Sequence, residues 1–147
     1  MTTTLLDRLV VGDKPEQIQA EIEIRDMLKE KRNTYMSVEI VPEDWILMEE
    51  ALLYKNITGF DPKMMLIKSA GIIEHIKQKG YNNEIWNMEL KKQEKIVKMF
   101  LILEPILEKV AKKEPFISLH THYIIVIKMF RYNLQDMFLR ELEFSDL

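Results

Sequence analysis

The stretch FISLHTHYIIVIKMFRY (Phe116–Tyr132) decides how the chain is read. Between Tyr123 and Phe130 the only charged side chain is Lys128. Neither a period of 2 nor one of 3.6 gives this run a wet face, so it is expected to lie buried in the middle of the fold. The β-branched residues Ile124, Ile125, Val126 and Ile127 favour a strand. Length favours a helix: Ser118 is a good N-cap residue and opens about 16 residues without Gly or Pro, longer than most strands. The reading that follows is a central helix over about 118–133, wrapped by its neighbours.

Working outward, Leu134–Leu142 reads as a last short helix. Upstream, Glu114-Pro115 ends a long element from Met88 to Lys113, preceded by one turn at Glu84–Asn87. Pro105 lies inside that element and is expected to kink or split it near Leu101, because it removes one helical hydrogen bond. Gly80-Tyr81-Asn82-Asn83 is a loop by composition. Asp61 and Pro62 start a helix whose Met65, Ser69, Ile72, Ile73 and Ile76 share a face. Gly71 within it either ends the helix or lets a neighbouring backbone come close. Pro42 opens EDWILMEEALLYK, with acidic residues at the positive end of the helix. Its Trp45, Ile46, Met48, Leu52 and Leu53 predict a largely buried helix.

Asn33–Val41 is the one stretch that suits a short strand or loop. Before it, Asp13 with Glu16 forms a capping-box pattern, and a surface helix runs to about Lys31 with Ile18, Ile22, Met27 and Leu28 in one stripe. Residues 1–12 carry a small apolar cluster, expected as a frayed turn docked on the body. The whole chain of 147 residues, 47% apolar and 31% charged, suits one domain. Four Gly and five Pro are few for an all-β protein. The expected fold is all-α, a single compact domain of about six to seven helices.

The chain has no cysteine, which excludes disulfides, thiol catalysis and thiolate zinc sites and fits a reducing intracellular compartment. No apolar run approaches the length that spans a bilayer, and the first residues lack a secretion pattern, so no membrane partner is expected. The net charge of −3 is unevenly placed. Residues 1–60 carry 7 basic and 12 acidic groups, residues 61–113 carry 11 and 7, and residues 114–147 carry 3 and 5. A basic middle permits a local anionic partner without demanding one.

Candidate sites are few. His120-x-His122 places two rings on one side of a strand, but on a helix i and i+2 diverge. A third ligand would have to come from His75 or a carboxylate. The structural role is favoured, and neither metal nor cofactor is expected. Glu43-Asp44 and Glu49-Glu50 are adjacent on a helix and splay apart, so they do not share a proton. Phosphate-loop, nucleophile-elbow and zinc-protease motifs are absent, and no catalytic residue is assigned. At 100° per residue, Lys91, Lys95, Lys98, Lys109 and Lys113 fall within about 60° of one another on one helix face. Ile96, Phe100, Leu103 and Leu107 point the other way. Such a strip either follows a phosphate backbone or is a solvated face with snorkelling stems. Tyr81, Trp86, Phe138, Leu139, Leu142 and Phe144 offer a second surface, suited to docking a protein partner.

The order of several short motifs goes further. Pro42-Glu43-Asp44-Trp45-Ile46 is followed by Glu49, Leu52 and Lys55, then by Ile72-Ile73-Glu74-His75-Ile76. Glu94-Lys95-Ile96 leading into Met99-Phe100 comes next, then Pro105, then Phe116-Ile117-Ser118 with Tyr123 and Lys128. This succession, over roughly residues 16–140, resembles the late transcription factor 3-like family of poxviruses and other large DNA viruses. The resemblance covers the helical region; the cysteine-based zinc ribbon that family members carry has no counterpart here. It implies a non-enzymatic viral late-gene transcription factor, or an adaptor contacting RNA polymerase or other transcription factors, in the host cytoplasm or a virus factory. The alternative is a helical module binding DNA or RNA through the lysine strip.

Overall fold

The computed structural model describes residues 3–54, 62–137 and 140. The fold is all-α: among the described residues there are seven fully described helices, further helical residues at 135–137 and 140, and no strand. They are α1 (Leu5–Val11), α2 (Lys14–Glu30), α3 (Arg32–Met36), α4 (Pro42–Tyr54), α5 (Pro62–Lys79), α6 (Glu84–Lys113) and α7 (Leu119–Arg131). Contacts group the chain into two compact units. The first comprises Met1–Glu39 and Asp61–Lys98, the second Ile40–Phe60 and Met99–Leu147.

In the first unit α1 packs on α2 and α5, and α2 packs on α5 and adjoins α3. The segment expected as a frayed turn is a capped helix. Thr4 Oγ1 accepts from the Asp7 amide, and the Asp7 carboxylate accepts from the Thr4 amide. This reciprocal box satisfies two amides that a helix start otherwise leaves open. Leu9 is buried, and Arg8 pairs with Glu23 of α2 at 2.6 Å. Asp13 caps α2 as expected, accepting from the Glu16 amide at 3.0 Å. The buried face of α2 is Ala20, Ile24 and Leu28, each one turn from the next, whereas Ile18 and Ile22 are exposed. The expected stripe is rotated: Ala20 and Ile24 face inward where Ile18 and Ile22 were expected.

Asn33–Val41 holds α3 and no strand, with Tyr35 buried. Pro62–Lys79 is one unbroken helix, so Gly71 does not end it. A Cβ on Gly71 would lie 3.4 Å from Ile24 Cδ1 and 3.7 Å from Leu6 Cα. Close approach of α1 and α2 is thus what this position accommodates. Gly80, at φ +70°, ends α5 in the left-handed conformation, its amide bonding to the Ile76 carbonyl.

In the second unit α4 pairs with α7. Trp45, Met48, Glu49 and Leu52 of α4 face inward, while Leu47 and Leu53 are exposed, so α4 is less enclosed than its composition suggested. Helix α7 starts at Ser118, whose hydroxyl accepts from the Thr121 amide, as its sequence implied. It ends on Asn133 at φ 57°, with the Leu134 amide bonding back to the Met129 carbonyl at 2.8 Å. The octapeptide Tyr123–Phe130 is not dry all round. His122, Tyr123, Val126, Ile127 and Met129 are buried, but Ile125 and Lys128 lie on an exposed strip with Thr121. An apolar residue at an outward position hid the 3.6 period. Of the expected last helix, Leu134 is not helical, residues 135–137 and 140 are, and the others lie outside the described residues.

The long helix also departs from expectation. Glu84–Asn87 is its first turn, capped by Asn83 Oδ1 accepting from the Trp86 amide at 3.0 Å. Pro105 does not split it: helical structure runs through to Lys113. The exposed proline removes one bond, and the flanking turns hold the rest. Residues 84–98 belong to the first unit and residues 99–113 to the second. In the second, Phe100 meets Tyr123 of α7 edge-on, centroids 5.8 Å apart.

Because the space beside Gly71 admits a methyl group, Gly71→Ala should raise stability by about 0.5–1 kcal/mol through reduced backbone freedom. Gly71→Leu should lower it by about 1–3 kcal/mol by overpacking against Leu6 and Ile24. Urea denaturation midpoints of the two variants check both signs.

Candidate functional site

The three histidines do not converge. His75 belongs to the first unit, and its Nδ1 lies 2.9 Å from Thr4 Oγ1 and 3.8 Å from Asp7 Oδ1. The adjacent Glu74 accepts from the Leu5 amide at 3.3 Å. His75 and Glu74 thereby tie the start of α1 to α5. In the second unit His120 Nε2 bonds to the Leu52 carbonyl at 2.8 Å, joining α7 to the last turn of α4. His122 is 2% exposed, with neither ring nitrogen hydrogen-bonded within the described residues. The two rings take separate environments, as i and i+2 on a helix must. Among the described residues no three His, Asp or Glu side chains are placed to hold a metal.

The carboxylates are structural where they are buried. Asp44 Oδ2 accepts from the Val41 amide at 2.8 Å and closes the start of α4. Glu49 is 3% exposed and receives Arg131 Nη1 at 2.8 Å, while Glu50 is exposed. The Glu49 bond holds the Arg131 guanidinium above its ordinary pKa, opposed by partial desolvation. The Arg131 guanidinium also sits 5.3 Å from the centre of the Tyr132 ring.

The lysine strip is only partly free. Lys91 and Lys109 are exposed. Lys98 donates from Nζ to the Val38 carbonyl and so anchors the chain after α3. Lys95 and Lys113 are half-buried and also engaged. Lys91, Lys95 and Lys98 stand in the first unit, Lys109 and Lys113 in the second. Three of the five thus have local work, which spacing on a helical wheel does not reveal.

The aromatic surface is better formed. Gly80 turns the chain so that Tyr81 stacks on Trp86, centroids 4.4 Å apart and planes 19° apart. Tyr81 also tilts against His75 at 6.1 Å. In the first two turns of α6 Ile85 is 78% exposed and Met88 66%. Sequence reasoning named Tyr81 and Trp86 but passed over Ile85 and Met88, which lie in the first two turns of α6. Phe138, Leu139, Leu142 and Phe144, named with them, lie outside the described residues.

A cavity of about 280 Å³ in the first unit went unnoticed in the sequence. It is lined by Met27, Lys31 and Tyr35 on one side and Ile73, Glu74 and Lys77 on the other. Burial raises the Tyr35 phenol above its ordinary pKa, with the charge of Glu94 adding to the shift, so it stays protonated. The signal available was Met27-x-x-x-Lys31-x-x-x-Tyr35, one residue per turn continuing past the end of α2. No family model, no curated protein and no solved structure matches this chain.

Asp7 yields a pH test. Its carboxyl lies below the ordinary value of 3.8, first through the Thr4 amide, then the Thr4 hydroxyl, with smaller help from His75 and Lys79. With the folded pKa depressed, the unfolded chain binds more protons in that window, and stability falls as pH drops through the folded value. The urea midpoint of the parent chain should therefore exceed that of Asp7→Asn at neutral pH, the difference shrinking as pH falls below the ordinary value of 3.8.

Proposed function

We propose that this protein is a non-enzymatic helical adaptor in viral late-gene transcription, acting through protein contacts. The observation supporting it is the apolar exposure at the start of α6, where Tyr81 stacks on Trp86 and Ile85 and Met88 stand in solvent. An aromatic stack with exposed aliphatic side chains in the same two helical turns has the composition of a docking anchor: large apolar area, little rotamer entropy to lose. The partner class, RNA polymerase or another transcription factor, comes from the motif order that resembles the late transcription factor 3-like family. The host cytoplasm or a virus factory is the corresponding place of action. No helix among the described residues is long and apolar enough to cross a membrane.

Nucleic-acid binding is the second reading, favoured by the exposure of Lys91 and Lys109. Its test must spare Lys98, because that side chain holds the Val38 carbonyl.

Tagged protein expressed in infected cells should co-purify polymerase subunits or late factors, and Ile85→Glu with Met88→Glu should abolish their recovery while leaving the thermal transition in place. Recovery of no transcription protein, or recovery unchanged by the double substitution, contradicts the adaptor reading. For the second reading, Lys91→Glu with Lys109→Glu should weaken duplex DNA binding and flatten its salt dependence by about two phosphate contacts. An unchanged slope removes it.

A further inference from the structure

The cavity between α2, α3 and α5 has a chemistry that the packing of those helices does not require. Met27 and Ile73 supply aliphatic walls and Tyr35 the edge of a buried ring. Lys31 and Lys77 line the same space, and neither has a bonded partner among the described residues. Their positions at the ends of α2 and α5 account for one cation on each helix, since basic groups are favoured there. That preference does not account for both cations lining one apolar hollow. Glu74, the acidic residue on the wall, already accepts the Leu5 amide. The hollow thus sets an apolar wall beside two exposed ammonium groups and one carboxylate, a net positive rim that Gln78 completes.

We propose that this cavity binds a small amphipathic carboxylate, its apolar body against Met27, Tyr35 and Ile73 and its carboxylate received by Lys31 and Lys77. At about 280 Å³ the space lies at the small end of ligand pockets, which run from roughly 300 to 1,000 Å³. It accommodates a single ring or short alkyl chain carrying one acid group. The carboxylate gains two charge-assisted contacts and leaves Glu74 with its amide.

Phenylbutyrate, phenylbutanol and phenylbutylamine are suitable probes, since they share a body and differ in head group. The full chain carrying labelled Ile and Met methyl groups is titrated with each, following the Ile73 and Met27 signals. Phenylbutyrate should give saturable shifts at both, phenylbutanol weaker ones and phenylbutylamine none. In Lys31→Gln with Lys77→Gln, the phenylbutyrate affinity should fall by at least about tenfold, with the dispersion of the spectrum unchanged. Absence of saturation with phenylbutyrate, equal binding of the amine, or affinity untouched by the double substitution would overturn the assignment.

Discussion

The Glu49 carboxylate is enclosed between two helices, and the arrangement of the second unit follows from how it is neutralised. Arg131, from the last turn of α7, reaches it at 2.8 Å. Beside that bond Trp45 stacks on Phe130, centroids 4.5 Å apart. At the opposite end of the pair His120 bonds the Leu52 carbonyl. Early residues of α4 thus meet late residues of α7 and the reverse, which makes the two helices antiparallel. A slide of one helical turn would leave Glu49 buried without its cation, and a buried unpaired charge is far costlier than a paired one. The apolar faces supply the drive to associate; the ion pair, the stack and the histidine fix the register.

The first unit is assembled differently. Its polar links gather at the start of α1, where Thr4, Asp7, His75 and Glu74 share hydrogen bonds. A seven-residue helix is too short to persist alone, so α1 exists because its cap is tied to α5 and Leu9 is buried. Gly71 lets Leu6 approach, and the same packing leaves the hollow beside Tyr35 and Ile73. Gly80 then reverses the chain and sets Tyr81 on Trp86. The candidate docking surface and the candidate ligand cavity therefore both depend on how α5 is held.

Much of this was legible in the sequence, and the failures share a cause. Starts of helices were readable because Asp13, Pro42, Pro62 and Ser118 act locally, through bonds or backbone angles that need no distant partner. The helical assignment of Phe116–Tyr132 rested on such a cap and on length. Faces were less readable. Ile18, Ile22, Leu47, Leu53 and Ile125 are apolar yet turned outward, so the periodic signal in α2, α4 and α7 was blurred by residues that do not join the core. Pro105 was expected to kink or split the long helix, and it does not split it. For the sites, spacing aligned five lysines, but only tertiary structure shows that Lys98 is spent on the Val38 carbonyl. The Tyr35 cavity was invisible because it needs two helices distant in sequence.

The most direct test of this account is a double-mutant cycle on Glu49 and Arg131, by urea unfolding of the parent, Glu49→Gln, Arg131→Met and the combined variant. If the ion pair sets the register, Arg131→Met alone should be clearly destabilising and should cost little once Glu49 is Gln, giving a coupling well outside error. Additive effects, with Arg131→Met equally tolerated in both backgrounds, would contradict it.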